Sequence, residues 1–180
     1  PYYLFHPHAP TRIAATLPDV RLLVLLRDPV ERAVSHHWDR TKAGLEHLSL
    51  ADAVAAEPGR LDGELERMLE DPGYQSHAYE HFSYVERGHY AEQLARLFAE
   101  VPRRRVLVLR SEDLYERPDE EYARTLEFLG LPPHRPDRFG RHHGHADRPR
   151  GDDGVRAGLR AHFAPHNAAL AELLGTEVWW

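Results

Sequence analysis

Two short apolar runs interrupt an otherwise helix-rich pattern of hydrophobic and polar positions. Residues 20–26 are apolar apart from Arg21, and residues 105–109 carry a second run, RVLVL. Continuous apolar runs of this length are typical of strands buried on both faces of a parallel sheet. Because a long segment with helical periodicity separates the two runs, the pattern predicts an α/β layer fold with crossover helices between the strands.

Capping residues and apolar stripes predict the helices. Ser49 is placed to cap one helix, and Gly130 is placed to end another. A final helical hairpin is expected over residues 154–175, kinked or broken at Pro165, whereas residues 132–154 are nearly free of apolar side chains and are predicted to be a long loop. The fold class is therefore α/β, with a parallel sheet flanked by helices in a single domain spanning residues 1–180. The remaining predicted helices cover residues 11–17, 49–57, 61–71, 88–101 and 117–130.

Composition and charge exclude several classes of function. A chain of 180 residues with 42% hydrophobic content fits one domain. The net charge of −6 argues against a nucleic-acid partner, because a basic surface is needed to hold the phosphate backbone. The absence of cysteine removes disulfides and thiolate chemistry and fits a reducing, cytoplasmic location. No run approaches the roughly 20 apolar residues of a membrane helix, so no membrane segment is expected.

A helix is predicted to begin immediately after Arg27, which ends the first strand. Asp28 is a good N-cap, Pro29 suits the first helical position, and Glu31 stands where a capping-box acid belongs. Strand-to-helix turns at the carboxyl edge of a parallel sheet are common anion sites. Ser35 would lie about 10 Å along the helix from Asp28, so an anion held by Arg27 and Ser35 would rest against the helix flank. The alternative is that Arg27 only pairs with a nearby acid.

The segment LLVLLRDPVERAVSHHW (residues 22–38) resembles the 3′-phosphate-binding motif of sulfotransferases that use 3′-phosphoadenosine 5′-phosphosulfate (PAPS), in particular the heparan-sulfate enzymes and their bacterial relatives. In that family a strand-end arginine and a serine eight residues later hold the nucleotide 3′-phosphate, and the resemblance assigns these roles to Arg27 and Ser35. The segments RGHYAEQLARLF, VLVLRSEDLYERPDEEYARTLEFLGL and LRAHFAPHNAALAELLG resemble later blocks of the family in the same order. The resemblance implies a P-loop-NTPase-like sulfotransferase fold and transfer of a sulfuryl group from PAPS, the co-substrate, to a hydroxyl or amine.

The arginine-rich residues 135–150 stand where the family has a Lys-Gly-Arg-x-His loop that closes on the nucleotide phosphates. The resemblance assigns Gly140, Arg141 and His143 to nucleotide binding. Phe139 replaces the family's lysine, which leaves Arg141 as the predicted phosphate contact.

The family's first β-loop-α unit, with its Lys-x-Gly-Thr phosphosulfate loop, has no counterpart in this sequence. We therefore expect an N-terminally truncated sulfotransferase fold, a first strand with an exposed edge, and no activity from this chain alone. The leaving-group lysine would belong to the missing unit, so the catalytic residues stay unassigned. His36 and His37, next to Ser35, are the candidate bases together with Asp39, ahead of His89 and Glu46. The alternative is that these histidines are structural.

The acceptor implied by the resemblance, a small molecule or a carbohydrate, would lie against residues 44–84. This segment has no positive stripe, which favours a smaller or less charged acceptor than a sulfated polysaccharide. Its aromatic residues either line a groove or pack between helices: Tyr74, Tyr79, Phe82 and Tyr84.

Two further functions and a metal site are alternatives. One is a catalytically inactive nucleotide-binding fragment, and the other is a nucleotide-kinase-like phosphotransferase, which would need a Walker loop that the sequence does not show. A histidine-rich metal-binding domain would use His142, His143 and His145, but no acidic partner stands at a fixed spacing from them. No metal is therefore expected.

Overall fold

The computed structural model describes residues 2–140 and 153–180, and in it the two predicted strands pair in parallel. Strand β1 (Leu22–Leu26) and strand β2 (Val106–Arg110) align with Leu22 opposite Val106 and Leu26 opposite Arg110. The described residues contain no further strand. The α/β class and the parallel pairing are thus confirmed, in a chain that is mostly helical.

Ten α-helices lie around this pair of strands in the described ranges, together with 3₁₀ turns at Glu86–Gly88 and Arg103–Arg105. The first five are α1 (Tyr2–Phe5), α2 (Ala9–Thr16), α3 (Pro29–Lys42), α4 (Leu50–Leu61) and α5 (Glu64–Glu70). The others are α6 (His77–His81), α7 (Tyr90–Glu100), α8 (Ser111–Glu116), α9 (Pro118–Leu129) and α10 (Asp153–Leu174). None of these helices is both long enough and apolar enough to cross a membrane.

The predicted capping residues act as expected. The Asp28 carboxylate accepts from the backbone N–H groups of Val30 and Glu31, at 2.8 and 3.4 Å, and α3 begins at Pro29. Ser49 accepts from the Asp52 N–H at 3.2 Å and caps α4. These short polar side chains satisfy N–H groups that have no partner inside the helix, which is why the starts of helices can be predicted from sequence.

Helix α7 connects the sheet with α10. The apolar stripe of α7, formed by Tyr90, Leu94, Leu97 and Val101, is buried against both strands and Leu170 of α10. A second apolar cluster joins the start of α3 to α4 and to the first half of α10. Its members are Val30, Ala33, Ala53, Tyr84, Leu159 and Phe163. The turn after β1 therefore sits between two packed layers.

The prediction that both faces of the first strand are covered is wrong for β1. Successive side chains of a strand point to opposite faces, and Leu22 and Val24 pack on the α7 cluster. Leu23 and Leu25, on the other face, are 46% and 41% exposed. Among the described residues β1 pairs only with β2, so its other edge is open, as the missing unit of the family led us to expect.

The predicted division of this segment into a helical hairpin at Pro165 is also wrong, because α10 runs without interruption from Asp153 to Leu174. A proline inside a helix removes one backbone hydrogen bond and costs about 3 kcal/mol. Phe163 on one side of it and Leu170 on the other are almost completely buried, in the two different clusters. Burial of both side chains offsets the cost and keeps the helix whole.

Candidate functional site

The end of β1 is held in place by a tyrosine of α7. The Tyr90 hydroxyl donates to the backbone carbonyl of Arg27 at 2.9 Å, and the Tyr90 side chain is buried. Burial raises the pKa of Tyr90 to about 12, so the hydroxyl remains a donor at neutral pH. This bond fixes the backbone at the point where Arg27 leaves the sheet.

Gly88, one residue before His89, allows α10 and the start of α3 to pack closely against the turn before α7. A Cβ at Gly88 would lie 2.6 Å from two ring carbons of Phe163 and 3.2 Å from the Cβ of Pro29. Only glycine leaves room for that approach. Gly88 and Tyr90 both belong to the segment RGHYAEQLARLF, and both set the position of the turn that carries Arg27.

The amides at the start of α3 already have acceptors. Val30 and Glu31 donate to the Asp28 carboxylate, and the Asp28 N–H donates to Oε1 of Glu112 at 3.0 Å. A phosphate at the helix tip would meet these two carboxylates instead of free N–H groups. An anion at this turn would therefore rest along the flank of α3, the position expected from the spacing of Arg27 and Ser35.

The Arg27 side chain is 38% exposed and lies next to an acid. Its Nη2 is 3.9 Å from Oε2 of Glu31, and Oε1 of Glu31 accepts from Arg156 of α10. Two guanidinium groups thus share one carboxylate at the entrance of the turn. Ser35 lies two helical turns further along α3 and is half-buried. The convergence of Arg27 and Ser35 on one ligand stays a prediction.

Of the two histidines proposed as bases, His36 is poorly suited to accept a proton. Its ring packs edge-on against Tyr84, with 5.0 Å between ring centroids, and its Nδ1 is buried without a hydrogen bond among the described residues. Burial, followed by the positive charges of Arg87 and Arg32, lowers the pKa of His36 to about 2. A base of that strength would assist little at neutral pH.

One ring nitrogen of His37 is engaged by the backbone of the segment before α4. Its Nε2 lies 3.0 Å from the backbone carbonyl of Leu48. A carbonyl only accepts, so Nε2 carries the proton and His37 connects α3 to the segment before α4. Its role as a base stays a prediction.

The predicted phosphate-closing loop falls mostly outside the described residues. Arg141 and His143 lie there, as do His142 and His145 of the alternative metal site. Gly140 is the last residue before this gap and is exposed. Phe139 is 40% exposed and contacts the Tyr122 ring, with 5.7 Å between centroids. The structure therefore leaves the nucleotide-binding role of this loop as a prediction.

A buried carboxylate network near the site could not be found from sequence. Both oxygens of Glu46 accept from Arg60, one of them also accepts from the Tyr84 hydroxyl at 2.9 Å, and the Leu48 N–H donates at 3.0 Å. Burial alone would raise the pKa of Glu46, but the hydrogen bonds from Arg60, Leu48 and Tyr84 hold it at about 2. Glu46 is therefore an ionised structural group. These hydrogen bonds do not support the prediction that it acts as a base.

A cavity of about 520 Å³ opens beside the predicted acceptor segment, among α4, α5 and the turn before α7. Its described lining contains no arginine or lysine and four acidic residues, namely Glu57, Asp62, Glu66 and Glu86. Among the aromatic residues predicted to line a groove, Tyr79 lines this cavity, while Tyr84 is completely buried in the core. The cavity is suited to neutral or positively charged groups.

Comparison with known proteins gives a consistent result. The sequence model of the family described as "Sulfotransferase domain" matches residues 2–146. Human heparan sulfate glucosamine 3-O-sulfotransferases 6 and 3B1 are each 29% identical to this chain over 139 and 136 residues, in both cases 73% of it. The crystal structure of a sulfotransferase from Alicyclobacillus acidocaldarius matches with a TM-score of 0.75 and 28% identity over 98% of this chain. The chain spans 34% and 30% of the two human relatives and 63% of the solved chain.

Proposed function

Because the chain belongs to the sulfotransferase domain family, we propose that it supplies the 3′-phosphate site of a PAPS-dependent sulfotransferase. The observation that carries this proposal is the turn after β1, where the Tyr90 hydroxyl and the close contact at Gly88 fix the backbone that presents Arg27. Arg27 would form a charged fork on the phosphate and Ser35 would donate its hydroxyl. Gly140, Arg141 and His143 would approach the nucleotide from the loop after α9.

Electrostatics favour binding along the flank of α3. Asp28 and Glu112 occupy the amides at the helix tip and repel a phosphate there. Glu31 stands between Arg27 and Arg156 as a negative counter-charge. A doubly charged phosphate would compete with Glu31 for these guanidinium groups, and the Glu31 side chain would give way to it.

The reaction we infer is in-line transfer of the sulfuryl group from PAPS to a hydroxyl or amine. The S–O bond to the 5′-phosphate breaks as the bond to the acceptor oxygen or nitrogen forms, and the acceptor proton passes to a base. Negative charge develops on the leaving phosphate, so cations are needed at that end. This chain would hold the opposite end of the nucleotide and so set its position, and we assign no residue of this chain to the phosphosulfate end or to the base.

The acidic cavity suggests a class of acceptor. Heparan sulfate is named in the two human relatives, but a polyanion would be repelled by Asp62, Glu66 and Glu86. We infer that the acceptor of this protein is uncharged or cationic. In the full-length protein, transfer from labelled PAPS to an amino-sugar oligosaccharide should exceed transfer to a sulfated one, and the reverse preference would contradict the inference.

A charge-reversal pair sharpens this acceptor test. Glu66→Lys should shift use towards the sulfated oligosaccharide, because Glu66 lines the cavity. Glu70→Lys is the matched control, since Glu70 is an exposed residue of the same helix outside the described lining. Equal shifts from both variants would place the acceptor elsewhere.

Nucleotide binding tests the main proposal directly. Adenosine 3′,5′-bisphosphate, the product of the donor, is titrated into the full chain by calorimetry. Losing a charged hydrogen bond costs about 1.5–3 kcal/mol, so Arg27→Ala should weaken binding about 10- to 150-fold, and Ser35→Ala should weaken it by a smaller factor. Arg21→Ala is the control, because Arg21 precedes β1 and donates to the carbonyl of Phe128.

The possible results separate the functions. Unchanged affinity in the Arg27 and Ser35 variants would refute the assigned phosphate site. Nucleotide binding by the full-length protein without sulfuryl transfer to any acceptor would favour the inactive nucleotide-binding alternative.

A further inference from the structure

Three histidines from two elements meet beside the cavity. His89 immediately precedes α7, while His162 and His166 lie one turn apart on α10. The ring centroids of His89 and His166 are 4.0 Å apart, and those of the other two pairs are 5.2 Å apart. One ring nitrogen from each residue lies within 4.8 Å of the others.

The hydrogen bonds around His89 define which of its nitrogens is available. Its Nδ1 lies 3.2 Å from Oε2 of Glu86. A carboxylate only accepts, so Nδ1 carries the proton and Nε2 presents a lone pair. That Nε2 lies 2.9 Å from Nε2 of His162. A carboxylate behind a ligating histidine is the arrangement that orients imidazoles towards metal ions in proteins.

The charges around the cluster also suit a cation. Glu86 and Glu92 provide negative charge, with Oε1 of Glu92 4.0 Å from Nδ1 of His166.

We propose that His89, His162 and His166 bind a divalent transition metal of the Zn²⁺ class. Imidazole nitrogens are preferred ligands of Zn²⁺ and bind it at about 2.0–2.1 Å, which places tetrahedral ligand atoms about 3.3 Å apart. The nitrogens of His89 and His162 are already close to that separation. Rotation of the His166 side chain completes the set, and the fourth position is left for water.

The metal would join α10 to the turn before α7. His162 is exposed on α10 and lines the cavity together with His89, so the ion would lie in the cavity wall. Gly88, the residue next to His89, is the one that contacts Phe163 and Pro29. The site therefore holds together α10 and the turn before α7, against which the start of α3 packs. This role does not depend on whether the turn that carries Arg27 binds nucleotide. It also differs from the loop histidines considered in the sequence, from which no metal was expected.

The test uses the full chain after removal of metals by chelation. Calorimetric titration with Zn²⁺, and titration with Co²⁺ followed by its visible absorption, should each give one equivalent per chain. His162→Ala and His166→Ala should each weaken Zn²⁺ binding by more than about 100-fold, since loss of residues behind ligands already costs 10- to 100-fold. A variant with His142, His143 and His145 all replaced by alanine is the control and should bind as the wild type does.

A thermal melt provides the second readout. Zn²⁺ should raise the melting temperature of the wild type and of the loop control but not of His166→Ala, whose far-UV circular dichroism without metal shows whether it is folded. Binding lost in the loop control and kept in His162→Ala and His166→Ala would overturn the proposal. So would a folded wild type that binds no stoichiometric Zn²⁺ at pH 7.5, because the two Nε2 atoms would then share only a proton.

Discussion

Substitution of Glu46 tests whether its buried ion pair stabilises the region around α3. Its carboxylate is 2% exposed and pairs with Arg60, which is 25% exposed, and with the buried Tyr84 hydroxyl. Tyr84 in turn packs against the rings of His36 and His37 on α3. Loss of the carboxylate charge would therefore loosen the contact between α3 and the segment before α4. Glu46→Gln makes this change with little change in volume.

The expected magnitude follows from the burial of the pair. Removing one partner of a buried ion pair costs about 3–5 kcal/mol, because the other charge loses its compensation. Arg60 remains partly exposed and can recover some hydration, so we expect about 3 kcal/mol. For a chain of this size each kcal/mol lowers the melting temperature by about 2–4 °C, which predicts a drop of about 6–12 °C. Urea denaturation at pH 7 measures the free energy directly.

The pH dependence adds an independent check on the same residue. The pKa of Glu46 in the folded chain is about 2, below the ordinary value of 4.5. A depressed pKa contributes stability above the unfolded value, and this contribution disappears as the pH falls from about 4.5 towards 2. The stability difference between wild type and Glu46→Gln should therefore be full at pH 7 and should shrink steadily below pH 4.5.

An exposed ion pair serves as the matched control. Glu120 lies 3.6 Å from Arg117, and both side chains are more than half exposed. Glu120→Gln makes the same chemical change and should alter the free energy of unfolding by no more than about 1 kcal/mol. If Glu46→Gln is as mild as Glu120→Gln, or if its effect is the same at pH 7 and pH 3, the account of the network is wrong.

Three further predictions concern the turn after β1 and its neighbours. Gly88→Ala places a methyl group 2.6 Å from the Phe163 ring and should destabilise the chain by about 1–3 kcal/mol; an unchanged urea midpoint would contradict this. Tyr90→Phe removes the donor to the Arg27 carbonyl and should cost about 1 kcal/mol of stability, with weaker binding of adenosine 3′,5′-bisphosphate in calorimetry; wild-type binding would show that Tyr90 does not position Arg27. The pKa of His36, about 2, predicts that its ring proton resonances do not titrate between pH 8 and pH 5, and a midpoint near 6.5 would exclude the buried environment. Below pH 6.5 the unfolded chain gains a proton at this residue that the folded chain does not, so His36 contributes to acid instability.

The amino-acid sequence by itself determined the local elements of this protein. The two strands, the N-caps at Asp28 and Ser49 and the buried stripe of α7 all follow from side chains within a few residues of one another. Capping and periodicity act over one or two helical turns, which is why they can be read without knowing the fold. The motif around Arg27 and Ser35 also belongs to this class, because its spacing lies within a single strand-turn-helix.

Only the tertiary structure decided how distant segments meet. The pairing of Glu46 with Arg60 and Tyr84, and the meeting of His89 with two histidines of α10, join positions whose proximity depends on how the helices pack. Packing also overruled local rules, since α10 continues through Pro165 and β1 leaves Leu23 and Leu25 exposed. The physical reason is that burial free energy depends on which surfaces meet, and a proline or an apolar run carries no information about its eventual neighbours.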